Sequence, residues 1–275
     1  MRKTTYVFDP QKTSVIIGDS NSQCAVNDSI LSRTINLSES AAPYFYSYLK
    51  LKKVLNSKSN IDTIILSIAP HNIFDNGWLF DEQVIYSNFG RYLPIMEWND
   101  FKVLLKGNPT GTIGAFRAIP ISMVAWVKRK IFHEELDALG GYFNLERDIL
   151  EDQILKLAKG EALDFFRIPE SFAVSEEEEI YLKKIEVLCR EHDKELMLLY
   201  LPKRAELLAH EKYGVREFYA YYQQTLSSIP MMDYSQLSLP KDSFADLVHL
   251  NQSGATWFSS ALRDHGFQHI PASPR

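Results

Sequence analysis

The sequence predicts an α/β protein with one parallel β-sheet covered by helices on both faces, and three observations lead to that reading. Apolar runs of strand length recur as Val15-Ile16-Ile17, Ile64-Ile65-Leu66 and Leu196-Met197-Leu198-Leu199, without the polar alternation of a half-exposed strand. Strand-like and helix-like patterns alternate over the first 70 residues, which is the rhythm of βαβ units. Each run then stops at a breaker followed by polar residues: Gly18-Asp19-Ser20, Pro70-His71-Asn72 and Pro202-Lys203-Arg204.

Taken in order, residues 13–17 read as the first strand and Gly18 ends it. Ser20 then sits at a strand-to-helix turn, with residues 25–31 able to continue as a short helix. Residues 34–37 form a short second strand. Residues 42–55 place Phe45, Tyr48, Leu49, Lys52 and Leu55 near helical spacing, with Asn56 as the stop. Residues 62–69 are the third strand. From about 74 to 175 the alternation is lost among aromatics and Gly/Pro breaks, with one amphipathic helix over 145–157, so a mainly helical insertion is expected at 76–175 within a single domain spanning 1–275. Ser175 then caps a helix whose acidic first turn, Glu176 to Glu179, reads as a solvated face. Residues 195–201 and 231–234 are the fourth and fifth strands, with helices over 203–212 and 215–227 between them. The chain closes on a helix capped by Asn251, with Ala255, Phe258 and Leu262 on one face.

Composition narrows the function. With 275 residues and 45% apolar content the chain can bury a sizeable core, and a net charge of −5 argues against a nucleic-acid partner despite the short run Lys128-Arg129-Lys130. Cys24 and Cys189 are far apart and read as free thiols, and the histidines show no metal-ligand spacing, so no metal and no cofactor are expected. The stretch 119–127 is about half the ~20 residues needed to span a bilayer. The N-terminus lacks the apolar core of a signal peptide, which reads as cytoplasmic, or extracytoplasmic if the native protein carries a leader or anchor.

Chemistry concentrates at the two ends of the chain. A serine hydroxyl needs a base within hydrogen-bond reach, and the base needs an acceptor to fix its tautomer. Asp246 and His249, three residues apart in a turn, can meet the second need, and a parallel sheet can bring Ser20 to meet the first because its strand ends share one edge.

Gly18-Asp19-Ser20 after the first strand, and Asp246-x-x-His249 before the last helix, resemble the first and last motif blocks of the SGNH (GDSL-like) hydrolase superfamily. The run from Phe244 to Ala255 also resembles the closing block of SGNH-like proteins that O-acylate bacterial surface polysaccharides. The resemblance implies a flavodoxin-like three-layer α/β/α fold and a triad of Ser20, His249 and Asp246. It further implies an oxyanion hole from the Ser20 N–H, the Ser38 N–H and the Asn72 side chain, where Ser38 replaces the family glycine and the residues flanking Asn72 depart from the family pattern. Asp19, Asn21 and His71 are expected beside the substrate.

The function expected is a serine-dependent esterase or O-acyltransferase acting on a small acyl ester, such as an acetyl ester of a carbohydrate. The alternative is a catalytically silent module that binds glycans or partners in polysaccharide assembly. Most aromatics of the insertion are expected to form its own core, and a few to line a groove leading to Ser20.

Overall fold

The computed structural model describes residues 8–57, 59–74, 77–119, 139–161, 172–210 and 212–267. Its centre is a five-stranded sheet formed by β1 (Ser14–Ile17), β2 (Thr34–Asn36), β3 (Thr63–Ser67), β4 (Glu195–Tyr200) and β5 (Met231–Asp233). The strand order is β2-β1-β3-β4-β5 and every pair is parallel, so the sheet is doubly wound about the β1/β3 junction.

Alternation within the apolar runs accounts for the layers. Val15, Ile17, Ile64, Leu66, Leu198 and Tyr200 face one core, and Ile16, Ile65, Leu199 and Met232 face the other. The first core is closed by α2 (Tyr44–Leu55), through Phe45 and Leu49, and by a 16-residue helix, Glu176–Glu191, through Tyr181 and Ile185. The second is closed by α1 (Ser20–Ala25) and by the last helix, Gln252–His265, whose Phe258 and Leu262 are buried as the spacing predicts. The expected three-layer α/β/α arrangement is what the structure contains.

Between β3 and β4 the described residues are mostly helical: α3 (Pro70–Ile73), α4 (Glu82–Tyr92), α5 (Trp98–Gly107), α6 (Pro109–Gly114) and α7 (Leu150–Lys159), ahead of α8 (Glu176–Glu191). Phe89, Phe101 and Phe116 pack on one another, but Phe89 and Tyr92 are buried in the same core as the sheet residues, so the expected separate core of the insertion is corrected to an extension of the main one. Trp98 and Phe143 are more than half exposed. No helix among the described residues is long and apolar enough to cross a membrane. Apart from Ile119, the stretch 119–127 lies outside the described residues, as does the basic run 128–130. Beyond β4 come α9 (Ala205–His210) and α10 (Lys212–Tyr221), and α11 (Gln252–His265) ends the described fold.

Three local expectations are corrected. The first helix occupies Ser20–Ala25 rather than 25–31, because Asp19 caps it by accepting from the Asn21 N–H at 2.9 Å. Residues 145–149 are irregular rather than helical. The Ile149 N–H donates to the Ala245 carbonyl at 3.1 Å, and the helix begins only at Leu150.

The acidic first turn of α8 is not simply solvated. Glu178 is buried and accepts from the Tyr44 N–H at 2.8 Å, and burial pushes its carboxyl up to about 8. A folded-state pKa raised above the ordinary ~4.3 means that the native state holds a proton the unfolded chain has lost, so stability falls as pH climbs from about 4 towards 8. Glu178→Gln, which keeps the acceptor, is expected to match the parent Tm near pH 4 and exceed it at pH 8.5. An identical Tm difference at both pH values would show that Glu178 titrates normally.

Candidate active site

The turn after β1 is shaped by close packing. A Cβ on Gly18 would lie 2.4 Å from the Ser67 Cβ and 2.6 Å from the Ser22 Oγ, so only glycine lets the ends of β1 and β3 approach this closely. Asp19 follows and caps α1, and Ser20 is the first helical residue, at the carboxyl edge of the sheet.

Opposite it, residues 244–250 form a small closed loop. Phe244 and Leu250 pair as an antiparallel bridge, the Ala245 N–H donates to the His249 carbonyl at 3.0 Å, and Gln153 of α7 accepts from the Leu247 N–H at 2.9 Å. Within the loop, Asp246 Oδ1 accepts from the Val248 and His249 N–H groups at 2.8 and 2.7 Å, an Asx turn that throws both side chains to one side.

The structure brings the three residues together. Ser20 Oγ lies 2.8 Å from His249 Nε2, and His249 Nδ1 lies 2.9 Å from Asp246 Oδ2. With the proton on Nδ1 directed at the carboxylate, Nε2 offers its lone pair to the serine hydroxyl. Asp246 is 1% exposed. Burial alone would raise its pKa. The hydrogen bond and charge offered by His249, with the two backbone N–H groups, outweigh that and hold the carboxyl well below the usual carboxylate range. The Cys24 thiol also belongs to this neighbourhood, but burial pushes it up to about 12, which leaves it a thiol and not a nucleophile at neutral pH.

The expected oxyanion donors are arranged differently. The Ser38 N–H donates to Asn36 Oδ1 at 2.9 Å, so the backbone donor expected at that position already has a partner. The Ser38 hydroxyl is fully buried, with no hydrogen-bond partner. Asn72 Nδ2 donates to Asp19 Oδ2 at 2.9 Å, which uses one of its two hydrogens.

Asp19, Asn21 and His71 are not surface groups awaiting a substrate. They are 2%, 5% and 5% exposed and bond to one another: His71 Nε2 lies 2.6 Å from Asp19 Oδ2 and 3.2 Å from Asn21 Nδ2. Their side chains are thus committed to one another in a buried network at the N-terminal end of α1, to which Asn21 itself belongs. Burial acts to raise the Asp19 pKa, but the bond and charge of His71 and the bonds from Asn72 and Asn21 prevail, and the carboxyl is held well below its ordinary range.

One residue at the site went unnoticed in the sequence. Arg147 directs both Nε, at 2.9 Å, and Nη2 onto Asp246 Oδ2, and its Nη2 lies 3.3 Å from His249 Nδ1. Nothing in the spacing of residues 144–148 marks it, because the contact depends on an irregular segment tied to Gln23 and Ala245. Among the described residues no cluster of three or more His, Cys, Asp or Glu side chains is arranged to hold a metal.

No protein-family model and no curated protein matches the chain. Among solved structures, one from Streptococcus pneumonia, provisionally named a platelet activating factor, aligns over 96% of this chain and 86% of its own, at 13% identity and a TM-score of 0.42. Another, from Bacteroides fragilis and provisionally named an acylhydrolase, aligns over 97% and 90%, at 11% identity and a TM-score of 0.41. Both are similar to this chain over most of its length.

Proposed function

We propose that the protein is an SGNH-type serine esterase or O-acyltransferase acting on short acyl esters, such as acetyl esters, of a carbohydrate. The observation that carries this reading is the unbroken relay from Ser20 Oγ through His249 to buried Asp246. Ser20 Oγ attacks the acyl carbon while His249 Nε2 takes its proton, and Asp246 stabilises the imidazolium. The imidazolium then gives that proton to the departing alkoxide, which leaves as the alcohol, and Ser20 keeps the acyl group as an ester. Water or a sugar hydroxyl, deprotonated by the same Nε2, releases it, and the two outcomes differ only in which acceptor reaches the acyl carbon.

The Ser20 N–H and the second amide hydrogen of Asn72 serve as oxyanion donors, each worth ~3 kcal/mol when well placed. A carbohydrate substrate is supported by the half-exposed Phe143 ring, whose backbone N–H donates to Gln23 of α1 at 3.0 Å and so stands close to the Ser20 helix. A single α/β domain carrying a helical insertion at 76–175 is part of this reading.

A second reading, a silent glycan-binding or partner-binding module, is favoured by the partners already held by Ser38 N–H and Asn72 Nδ2. Incubation with a fluorophosphonate probe and intact-mass measurement separates the two. The expected result is one adduct per chain, mapped to Ser20 and absent after heat denaturation. An unlabelled native protein would support the silent module.

A further inference from the structure

Residues 139–149 form an irregular strap, tied by backbone contacts to the elements around Ser20. Four contacts fix their course. Gly140, at φ +122, packs so tightly on the Leu37 and Ser38 carbonyls that a Cβ would lie 2.4 Å from the Leu37 oxygen. The Gly141 N–H donates to the Ser38 carbonyl at 3.1 Å, the Phe143 N–H to the Gln23 carbonyl at 3.0 Å, and the Ile149 N–H to the Ala245 carbonyl at 3.1 Å. Arg147 lies between the last two, so the strap delivers its guanidinium to Asp246 by construction.

We propose that Arg147 is a positioning residue of the Ser20–His249–Asp246 relay: its guanidinium holds the Asp246 carboxylate in place and opposes protonation of the imidazole beside it. The inference rests on the reading of Ser20 as a nucleophile activated by His249. Its physical basis is competition. Asp246 Oδ2 accepts from both Arg147 and His249 Nδ1, so the carboxylate is shared between a permanent cation and a conditional one. An imidazolium at His249 would form 3.3 Å from Nη2 of that permanent cation, and like charges so close disfavour it.

Among the described residues, three groups bond the His249 ring. Asp246 comes from its own loop, Arg147 from the strap and Ser20 from α1. Cys24 of α1 stands near Asp246 and Arg147 as an undissociated thiol, and Asp19, also near Cys24, is bonded to His71. Arg147 is therefore the cation placed to decide the pH at which the imidazole becomes a usable base. Because it stands on a strap anchored at Ser38, Gln23 and Ala245, the segment between β3 and β4 tunes a relay built from the two ends of the chain.

The test is the rate of fluorophosphonate labelling at Ser20 between pH 5 and 9 for the parent, Arg147→Met and Arg147→Lys. Losing the cation lets His249 hold a proton to higher pH, so the pH of half-maximal labelling is expected to move up by about one unit in Arg147→Met. Arg147→Lys, which keeps a positive charge, is expected to restore most of that midpoint. Arg147→Gln replaces the methionine variant if the latter fails to fold, as judged by far-UV circular dichroism. A labelled Met or Gln variant with the parent midpoint overturns the proposal alone, and so does a Lys variant shifted as far as Met. An unlabelled parent overturns the reading of Ser20 and the proposal with it.

Discussion

Ser20→Ala and His249→Ala are each expected to lower turnover of an ester such as p-nitrophenyl acetate by about a thousandfold or more, with the double variant little worse than either. The reason is geometric. Nε2 and Oγ lie 2.8 Å apart in the resting structure, so the hydroxyl loses its base when His249 is removed, and the base loses its only proton donor in the attack when Ser20 is removed. One step is lost in either case, and removing the second partner removes little more. Losses that multiply in the double variant would mean that the two residues serve separate steps. Circular dichroism on each variant controls for folding, and Ser20, on the rim of the site, is expected to be replaceable by alanine without structural cost.

Asp19→Ala is expected to cost stability before it costs chemistry, by about 3 kcal/mol of unfolding free energy in urea. The carboxylate accepts from the Asn21 N–H at 2.9 Å and from Asn72 Nδ2 at 2.9 Å, and it lies 2.6 Å from His71 Nε2. Its removal uncaps α1 and leaves two buried polar side chains without their shared acceptor. The pH dependence has a definite sign. A carboxyl whose folded-state pKa is depressed contributes stability above its unfolded value of about 4, and that contribution is lost as pH falls through the folded value. The gap between parent and variant should therefore be full at pH 7 and shrink on acidification below pH 4. A cost under 1 kcal/mol at pH 7, or a gap that does not narrow with acid, would show that the network beneath α1 is not held by this charge. Ser20 is the first residue of that helix, so labelling of Ser20 should slow in the same variant.

The sheet was legible in the sequence because its information is local. Val15-Ile16-Ile17 and Ile64-Ile65-Leu66 are continuous apolar runs, and a strand buried on both faces has no use for polar alternation, so the run itself names its environment. The capping residues Ser175 and Asn251 were equally legible, since a cap acts on N–H groups two or three positions away. Asp246 and His249 could be paired from their spacing because a single Asx turn joins them. Motif resemblance then supplied Ser20 as their partner from 229 residues away.

What the tertiary structure alone decided lies in contacts whose partners are distant and whose residue types are unremarkable. The solvated acid Glu178 became a buried one because the backbone of Tyr44, 134 residues earlier, needed an acceptor. Asp19, Asn21 and His71 bond to one another because the turn after β1 and the turn after β3, 50 and 52 residues apart in the pairs they form, meet at one edge of the sheet. Arg147, in a stretch that reads as the start of a helix, reached Asp246 because backbone hydrogen bonds to Ser38, Gln23 and Ala245 hold residues 141–149 in an irregular course past the Asp246 loop. Periodicity and spacing report the turn, strand or helix a residue belongs to. Which groups share a carboxylate is set by where whole elements come to rest, through burial and hydrogen bonds that no single segment carries.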